Sequence, residues 1–431
     1  MKSELDWHFR HFDDLLTFGH SAQFAHARGK ASMKNVDIFL VPGFFGFDKL
    51  EALRYFDGVT PILTESLHAA GIRPTIHIHE PPLPAGSVVR RARALAETVA
   101  KKHDRHADCV HFVGHSMGGL DIRVLLDPSG PWRPCGTAGA SLLDEIVPPS
   151  KLGAAVTLST PHYGTPIVYE AARLGFQELF ASFGVLAQCD GFPRTLARLS
   201  VALTLSARVA ERLGIRGRLF EWMVDEVFRY TQTDSRGIPL RKMLRDIGLD
   251  QGGMLQMSQY AMHVFNASVA TRSNVEWVSY ASLVPPGKSV FPNGDFALDI
   301  TTLLFRFGQW VTSRRDPHYE YAPLEDAACD VFLRDLGFLP DPTQSDGIVP
   351  TLSQVFGRLG GAFEGDHLDV VGMFPHTTPA GTDYVGWVCS GAGFDQVRLR
   401  ALWGRIAGDI AAATMRRVPQ PAASNVVAIG S

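Results

Sequence analysis

The chain has 431 residues, of which 45% are hydrophobic and 20% charged, so it can bury a large core and is long for one compact domain. Its formal net charge of −3 offers no basic field for binding nucleic acid or an anionic bilayer. No apolar run reaches the roughly 20 residues that a transmembrane helix needs, so no such helix is predicted.

The two ends of the chain carry few structural signals. Residues 1–10 mix both signs of charge and precede no long apolar region, so no secretory signal is predicted. We therefore expect a cytoplasmic protein, or a secreted one from which a leader has been removed. Residues 419–431 are small and polar and are expected to form a flexible tail. The five cysteines are scattered, without metal-ligand spacing, and are expected to be core residues or free thiols.

Apolar runs and helical periodicities alternate through the first part of the chain. The run Val36–Val41 is nearly all apolar and ends at Pro42, as expected for a strand buried on both faces of a sheet. Alternating strands and helices predict a parallel sheet with right-handed crossovers. The pattern predicts strands at 36–41, 75–79, 109–113, 154–158 and 275–280, and helices at 55–70, 87–103 and 118–126.

The most informative motif is Gly-x-Ser-x-Gly at residues 114–118, which follows an apolar run and precedes a helical pattern. Gly114 and Gly118 leave room for the backbone to crowd around Ser116, so a sharp strand-to-helix turn would present the serine hydroxyl. The N-terminus of the helix would supply backbone N–H groups for a developing oxyanion. A chance glycine-rich turn around a solvated serine is the alternative explanation of the pentapeptide alone.

A serine nucleophile needs a neighbouring base, and the base needs a group that orients it. Asp346 lies in a turn-prone loop, and His367 follows it after 21 residues. Ser116, Asp346 and His367 therefore occur in the order nucleophile, acid, base. His115 and His162 flank the motifs and compete for the role of base, but both are expected to lie too near the turn backbone to reach the hydroxyl well.

The pattern changes after residue 164 and is almost entirely helical up to residue 230. We predict a core segment at 1–166 and then an insertion at 167–274 that forms a helical cap or lid, since such insertions often lie above the carboxyl ends of strands. A set of buried helices without that role explains the same pattern. The core is expected to resume at 275–418 and to contain a further insertion at 285–340.

Four blocks of sequence carry a family resemblance. They are FLVPGFFGFD at 39–48, GHSMG at 114–118, STPHYG at 159–164, and DG at 346–347 with GDHLD at 365–369. In sequence and in order, the blocks resemble the bacterial true lipases of the Pseudomonas and Burkholderia type. The resemblance implies an α/β-hydrolase fold, with a mainly parallel central sheet, flanking helices and a lid. It covers the core but not the region 167–339.

The same resemblance assigns further roles near the nucleophile. The two oxyanion-hole N–H groups fall on Phe44, in the loop after the first strand, and on Met117, which follows the nucleophile. Each such donor is worth about 3 kcal/mol of transition-state stabilisation. Phe45, Phe47 and His115 are expected to contact the substrate, while an aromatic cluster packed under the lid is the alternative for the phenylalanines.

A structural calcium ion is also implied by the resemblance, although no cofactor is required for the chemistry. Asp369 is the candidate ligand, two residues after the predicted base. Met373 stands where the family has a further ligand, and a thioether is a poor ligand for a hard cation. Without calcium, Asp369 is expected to stabilise its loop by hydrogen bonds. A second acidic ligand would come from Asp326, Asp330, Asp335 or Asp341.

Together these features predict a carboxylic ester hydrolase, that is, a lipase or esterase that acts on medium- or long-chain acyl esters. Its partner would be a hydrophobic ester, with a lipid interface as one setting. An acyltransferase, a phospholipase or a polyester depolymerase on the same fold are alternatives, because the triad does not decide which acceptor attacks. A non-catalytic protein that binds lipid or a partner through an apolar lid is a further alternative.

Overall fold

The chain divides into two compact units, Met1–Lys34 and Asn35–Ser431, and nearly all of the described residues belong to the second. The structure is a computed structural model. It describes residues 33–44, 49–50, 53–56, 58–82, 85–129, 143–169, 252–285, 300–314, 321–374, 376–377, 383–384, 390 and 392–418.

Ten strands and eight helices are present in the described residues. The strands are β1 (Lys34–Val41), β2 (Lys49–Leu50), β3 (Leu53–Arg54), β4 (Ile72–Ile78), β5 (Cys109–His115), β6 (Leu152–Leu158), β7 (Glu276–Leu283), β8 (Arg358–Glu364), β9 (His376–Thr377) and β10 (Asp383–Tyr384). The helices are α1 (Val59–Ala69), α2 (Val88–Lys102), α3 (Met117–Leu125), α4 (Gly252–Gln256), α5 (Gln259–Ser268), α6 (Ile300–Thr312), α7 (Asp326–Leu336) and α8 (Gln396–Arg417). Short 3₁₀ turns lie at Pro149–Lys151, Thr351–Gln354 and Asp369–Val371.

A six-stranded sheet with the order β4-β1-β5-β6-β7-β8 forms the centre of the second unit. The pairs β1–β5, β5–β6, β6–β7 and β7–β8 are all parallel. Every residue of β5 and β6 is buried, as expected for strands that are covered on both faces. The fold is an α/β-hydrolase fold, which confirms the prediction from the sequence.

Helices cover both faces of this sheet. Successive β1 residues point to opposite sides, so Leu40 packs in a core with Leu63 of α1 and Trp403 of α8. Phe39 packs on the other side with Leu95 of α2 and with residues of α3. Because crossover helices bury both faces, only the sheet ends are left for ligands, and the loops at the carboxyl ends of the strands are the usual site.

The last helix also closes over the loop that follows β8. Trp403 of α8 is fully buried, and its indole Nε1–H donates to the carbonyl oxygen of Val370 at 2.9 Å. Asp395 begins the helix, because its side chain accepts the N–H of Arg398 at 2.9 Å. The loop carrying His367 is therefore tied to a helix that starts almost 30 residues later in the chain.

Several predicted boundaries move in the structure. The helix predicted at 55–70 begins only at Val59, because Phe56 and Gly58 have positive φ angles of 60° and 68°, which a right-handed helix does not allow. The strand predicted at 75–79 spans Ile72–Ile78 instead. Strand β8 and helix α8 are not among the predicted elements.

The predicted insertions are described only in part. Of 167–274 the structure describes 167–169 and 252–274, where α4 and α5 are helical, and residues 170–251 lie outside the described residues. Of 285–340 it describes 285, 300–314 and 321–340, including α6 and α7. The lid and its boundaries stay predictions, as does the tail at 419–431. In the described part of the chain, no helix has the length and apolar character to cross a membrane.

Candidate active site

Ser116 occupies the turn between β5 and α3. Its φ and ψ angles are 54° and −130°, an unfavourable conformation for a residue with a side chain. Its backbone N–H donates to the carbonyl oxygen of Leu158 at 2.8 Å, which ties the turn to the end of β6. The residue is 6% exposed. The motif therefore forms the strained strand-to-helix turn that the sequence predicts.

The turn is packed so tightly that two neighbouring positions accept only glycine. A Cβ atom on Gly118 would lie 2.3 Å from the carbonyl oxygen of Val41, which is part of β1 and cannot move away. A Cβ atom on Gly43 would lie 2.6 Å from the Cβ of Ser116. The loop after β1 is therefore in direct contact with the turn that carries Ser116.

That loop holds Phe44, one of the two predicted oxyanion donors, and it is anchored by a buried arginine. The guanidinium of Arg91 donates to the carbonyl oxygens of Pro42 at 2.7 Å and Gly43 at 3.2 Å. Its Nε–H donates to the Asp121 carboxylate at 2.8 Å, and both side chains are fully buried. Burial raises the pKa of Asp121 to about 6, while the neighbouring Arg91 guanidinium acts to lower it.

The predicted substrate and oxyanion residues have different placements. Phe44 is partly buried against the core beneath α2 and α3. Met117 is the first residue of α3 and is fully buried. Phe45 and Phe47 lie outside the described residues. Arg91 belongs to no motif. Its charge on the apolar face of a predicted helix is the sequence signal that could have identified it.

Asp346 and His367 form a buried pair in the loops on either side of β8. The Nδ1 of His367 lies 2.8 Å from Oδ2 of Asp346, and the side chains are 5% and 0% exposed. The backbone N–H of His367 also donates to the Asp346 carbonyl oxygen at 3.0 Å. Because the carboxylate fixes the hydrogen of the neutral ring on Nδ1, Nε2 keeps a lone pair that can accept a proton.

The carboxylate of Asp346 is itself held by several donors. Oδ1 accepts the backbone N–H groups of Ile348 at 3.0 Å and Val349 at 2.7 Å. Oδ2 accepts the Ser282 hydroxyl and the Gln354 amide, both at 3.2 Å. These contacts fix the orientation of the carboxylate toward the imidazole. Neither Ser282 nor Gln354 belongs to a recognisable motif, so the sequence gives no sign of them.

Ser116 and His367 lie at the same end of the sheet and are joined through His115. The rings of His115 and His367 are 4.7 Å apart, and Nε2 of His115 lies 2.8 Å from the His367 carbonyl oxygen. Among the contacts of the described residues, no hydrogen bond joins the Ser116 hydroxyl to His367. The imidazole of His367 thus packs on the residue that directly precedes Ser116.

His115 lies in the interior, between Tyr55 and His367. It is fully buried, its Nδ1 lies 2.6 Å from the hydroxyl of Tyr55, and its Nε2 contacts His367 as described above. The predicted contact of His115 with the substrate stays a prediction. His162, the other competitor for the role of base, is also fully buried, with Nε2 3.1 Å from the Thr157 hydroxyl. Burial lowers the pKa of both histidines well below the usual range.

Asp369, the candidate calcium ligand, is hydrogen bonded within its own loop. Its Oδ2 accepts the backbone N–H of Asp366 at 2.8 Å, as in a loop that is stabilised by its own hydrogen bonds. Met373 is buried in the apolar core. Asp335 is occupied by Arg405, at 2.9 Å, and within the described ranges no three His, Cys, Asp or Glu side chains converge as metal ligands.

No protein family model and no curated protein matches this chain. Solved structures resemble it at low identity, with TM-scores below 0.5, so the function is inferred from the site geometry. EstA of Clostridium botulinum is 19% identical, with a TM-score of 0.48 over 91% of this chain and 90% of its own. Lipase 1 of Pelosinus fermentans is 18% identical, with a TM-score of 0.45 over 87% and 99%. The metagenomic carboxyl esterase MGS0156 is 14% identical, with a TM-score of 0.45 over 90% and 77%.

Proposed function

We propose that the protein is a serine carboxylic-ester hydrolase in which Ser116 is the nucleophile, His367 the base and Asp346 the acid of a triad. The observation that carries this proposal is the buried Asp346–His367 hydrogen bond, with its imidazole packed on the residue before a strained, glycine-enclosed serine. Strain of this kind concentrates at functional turns. In a site without substrate, the hydrogen bond from nucleophile to base is often long and shortens in the complex.

In the proposed mechanism, Ser116 Oγ attacks the ester carbonyl carbon while its proton moves to Nε2 of His367. Asp346 holds the Nδ1–H and stabilises the imidazolium. The tetrahedral intermediate collapses when His367 gives the proton to the leaving alcohol, which leaves an acyl-serine. Water then attacks the acyl carbon with His367 as base, and the carboxylic acid and free serine are released.

The backbone N–H groups of Phe44 and Met117 are the proposed donors to the oxyanion. For Met117 the support is its position at the start of α3, where N–H groups have no partner within the helix. For Phe44 the support is the loop itself, whose preceding carbonyl oxygens are fixed by Arg91 and which lies against the serine turn. Donors that are fixed before the reaction need no reorganisation when charge develops.

The proposed substrates are esters with medium or long acyl chains. Helix α4 borders the nucleophile turn, because a Cβ atom on Gly253 would lie 2.8 Å from Sδ of Met117. The helices α4 and α5 also expose Leu255, Tyr260 and Val264, which are 57%, 57% and 70% accessible. Exposed apolar side chains on the helix that borders the turn and on the helix after it favour an apolar acyl chain over a small polar one.

The proposal is tested by comparing the wild type with Ser116→Ala on p-nitrophenyl esters of increasing chain length. We expect the wild type to prefer medium or long chains and the variant to lose at least about 10⁴-fold in kcat. A fluorophosphonate probe should label the wild type at Ser116 and leave the variant unlabelled. Ser313→Ala, which removes a hydroxyl that only caps the end of α6, is the matched control.

Two results would overturn different parts of the proposal. Equal rates for the wild type and Ser116→Ala would show that this serine is not the nucleophile. A rate that is highest for acetate and falls steadily with chain length would leave the mechanism intact but contradict the apolar substrate.

A further inference from the structure

Tyr55 and His115 form a chain of buried hydrogen bonds beside the proposed catalytic residues. The backbone N–H of Gly43 donates to the Tyr55 hydroxyl oxygen at 2.9 Å. The same hydroxyl lies 2.6 Å from Nδ1 of His115, and Nε2 of His115 lies 2.8 Å from the carbonyl oxygen of His367. The chain therefore runs from the loop that holds Phe44 to the backbone of His367.

The proton positions in this chain follow from its end groups. A carbonyl oxygen can only accept, so Nε2 of His115 must carry the hydrogen. Burial lowers the pKa of His115, so the ring is neutral and its Nδ1 has a lone pair. The Tyr55 O–H must then donate to Nδ1, while its oxygen accepts from Gly43. Each hydrogen bond of the chain therefore has one defined donor. Burial raises the pKa of Tyr55, so its hydroxyl keeps the proton that it donates.

We propose that Tyr55 and His115 are positioning residues, which fix the loop that carries Phe44 and the proposed base His367 relative to each other. This inference rests on the proposed function of Ser116 and His367. His115 is linked to both the proposed nucleophile and the proposed base. Its backbone is joined to Ser116, and its ring lies within hydrogen-bond distance of the carbonyl oxygen of His367. Tyr55 extends the same connection to Gly43, next to the proposed oxyanion donor Phe44.

The backbone of His367 is fixed on both sides by these contacts. Its N–H donates to the Asp346 carbonyl oxygen and its carbonyl oxygen accepts from His115. With its Nδ1 also bonded to Asp346, the imidazole has little freedom to turn. Loss of the contact from His115 would release one of three restraints and shift Nε2 relative to the hydroxyl of Ser116. Misplacement of about 1 Å in a catalytic group can cost roughly 100-fold in rate.

The first test is Tyr55→Phe, which removes only the hydroxyl. We expect kcat on a p-nitrophenyl ester to fall roughly 10- to 100-fold, with KM changed less than about twofold, because the alignment of the reacting groups is lost and not the substrate pocket. Tyr280→Phe is the matched control, since it removes another buried tyrosine hydroxyl, which donates to Asp409 at 2.7 Å. A kcat for Tyr55→Phe as high as that for Tyr280→Phe would overturn the proposal.

A pair of substitutions at His115 separates the two ends of the ring. The amide of His115→Gln reaches the position of Nε2 and can still donate to the His367 carbonyl oxygen. The shorter amide of His115→Asn reaches only the position of Nδ1 and loses that contact. We expect His115→Gln to keep a kcat at least about tenfold above that of His115→Asn. The reverse order would overturn the assignment, as would equal losses in two folded variants.

A spectroscopic measurement tests the chain independently of activity. Nitrogen-15 NMR of the wild type should find His115 neutral, with its proton on Nε2, from about pH 6 to 8. In Tyr55→Phe the Nδ1 resonance should shift, because its donor is gone. A protonated ring or the other tautomer would overturn the inference even in an active enzyme. If the NMR result holds but no ester is cleaved by wild type, the proposed function fails and not the hydrogen-bond chain.

Discussion

Backbone strain is concentrated near the ends of two central strands. Among the described residues, three that are not glycine have a positive φ angle, and two of them, Ser116 and Ser159, follow β5 and β6 directly. Ser159 at φ 48° places its hydroxyl 2.7 Å from that of Ser282, which in turn donates to Asp346. Each of these two adjacent strands is thus followed by a strained serine. Ser116 is the proposed nucleophile, and Ser159 contacts Ser282, which donates to the Asp346 carboxylate.

Replacement of Asp346 by asparagine tests the proposed role of its charge. Asp346→Asn keeps the size of the side chain but gives the His367 ring an amide in place of a carboxylate, which disturbs the tautomer and leaves the imidazolium unsupported. We expect kcat to fall about 10⁴-fold, as this change does in other serine triads. Steady-state kinetics on a p-nitrophenyl ester measures it, with Asp335→Asn, a half-buried partner of Arg405, as control. A loss smaller than about tenfold would contradict the assignment.

The buried histidine His111 should make the protein sensitive to acid. Its Nδ1 accepts the N–H of Ala154 at 2.9 Å, and its Nε2 lies 3.0 Å from the Thr414 hydroxyl, so the folded protein holds a neutral ring. Burial lowers its pKa from 6.5 to about 3. Between these values the unfolded chain binds a proton that the folded protein does not, so stability is complete above pH 6.5 and falls as the pH drops toward 3.

His111→Gln removes that titrating group. Urea unfolding at several pH values should give a slope of unfolding free energy against pH, near pH 5, that is smaller than in the wild type by about 1.4 kcal/mol per pH unit. His106→Gln, at an exposed position, is the control. An unchanged slope in His111→Gln would mean that the folded protein binds the proton as readily as the unfolded chain.

At the level of elements, the Arg91–Asp121 pair links α2, α3 and the loop after β1. Arg91→Met would leave the Asp121 carboxylate and two carbonyl oxygens buried without their partner. We expect the unfolding free energy to fall by about 3 to 5 kcal/mol. We also expect a lower kcat, because the loop that carries Phe44 loses its anchor. Chemical denaturation and steady-state kinetics measure the two effects separately.

The double variant Arg91→Met/Asp121→Leu separates stability from activity. It removes the unpaired carboxylate, so part of the lost stability should return. The carbonyl oxygens of Pro42 and Gly43 still lack a donor, so kcat should stay low. Recovery of kcat together with stability would contradict an anchoring role for Arg91.

Elements with a strong local pattern could be predicted, and those that depend on tertiary contacts could not. The apolar runs of β1, β5 and β6 specify buried strands by composition alone. Strand β8 contains Gly360 and Gly361, which have low strand propensity, and it forms because its backbone pairs with β7. Ser116 and His367 can be proposed as candidates from motifs in the sequence. Tyr55 cannot, because its contacts with Gly43 and His115 exist only in the folded protein.

For the whole molecule, the hydrogen bonding of Asp369 leads to an expectation about metal. Its carboxylate is already hydrogen bonded to Asp366, and Met373 is buried in the core. We expect the thermal midpoint of the protein to be the same in a chelator and in excess calcium. Differential scanning calorimetry measures this. A midpoint that rises with calcium and falls reversibly with chelator would contradict it.

The anchoring of the His367 loop by Trp403 has a consequence for biosynthesis. The proposed nucleophile leaves the ribosome 251 residues before the proposed base, and the indole that holds the loop of that base is made later still. A growing polypeptide can therefore display the serine turn without being able to cleave an ester.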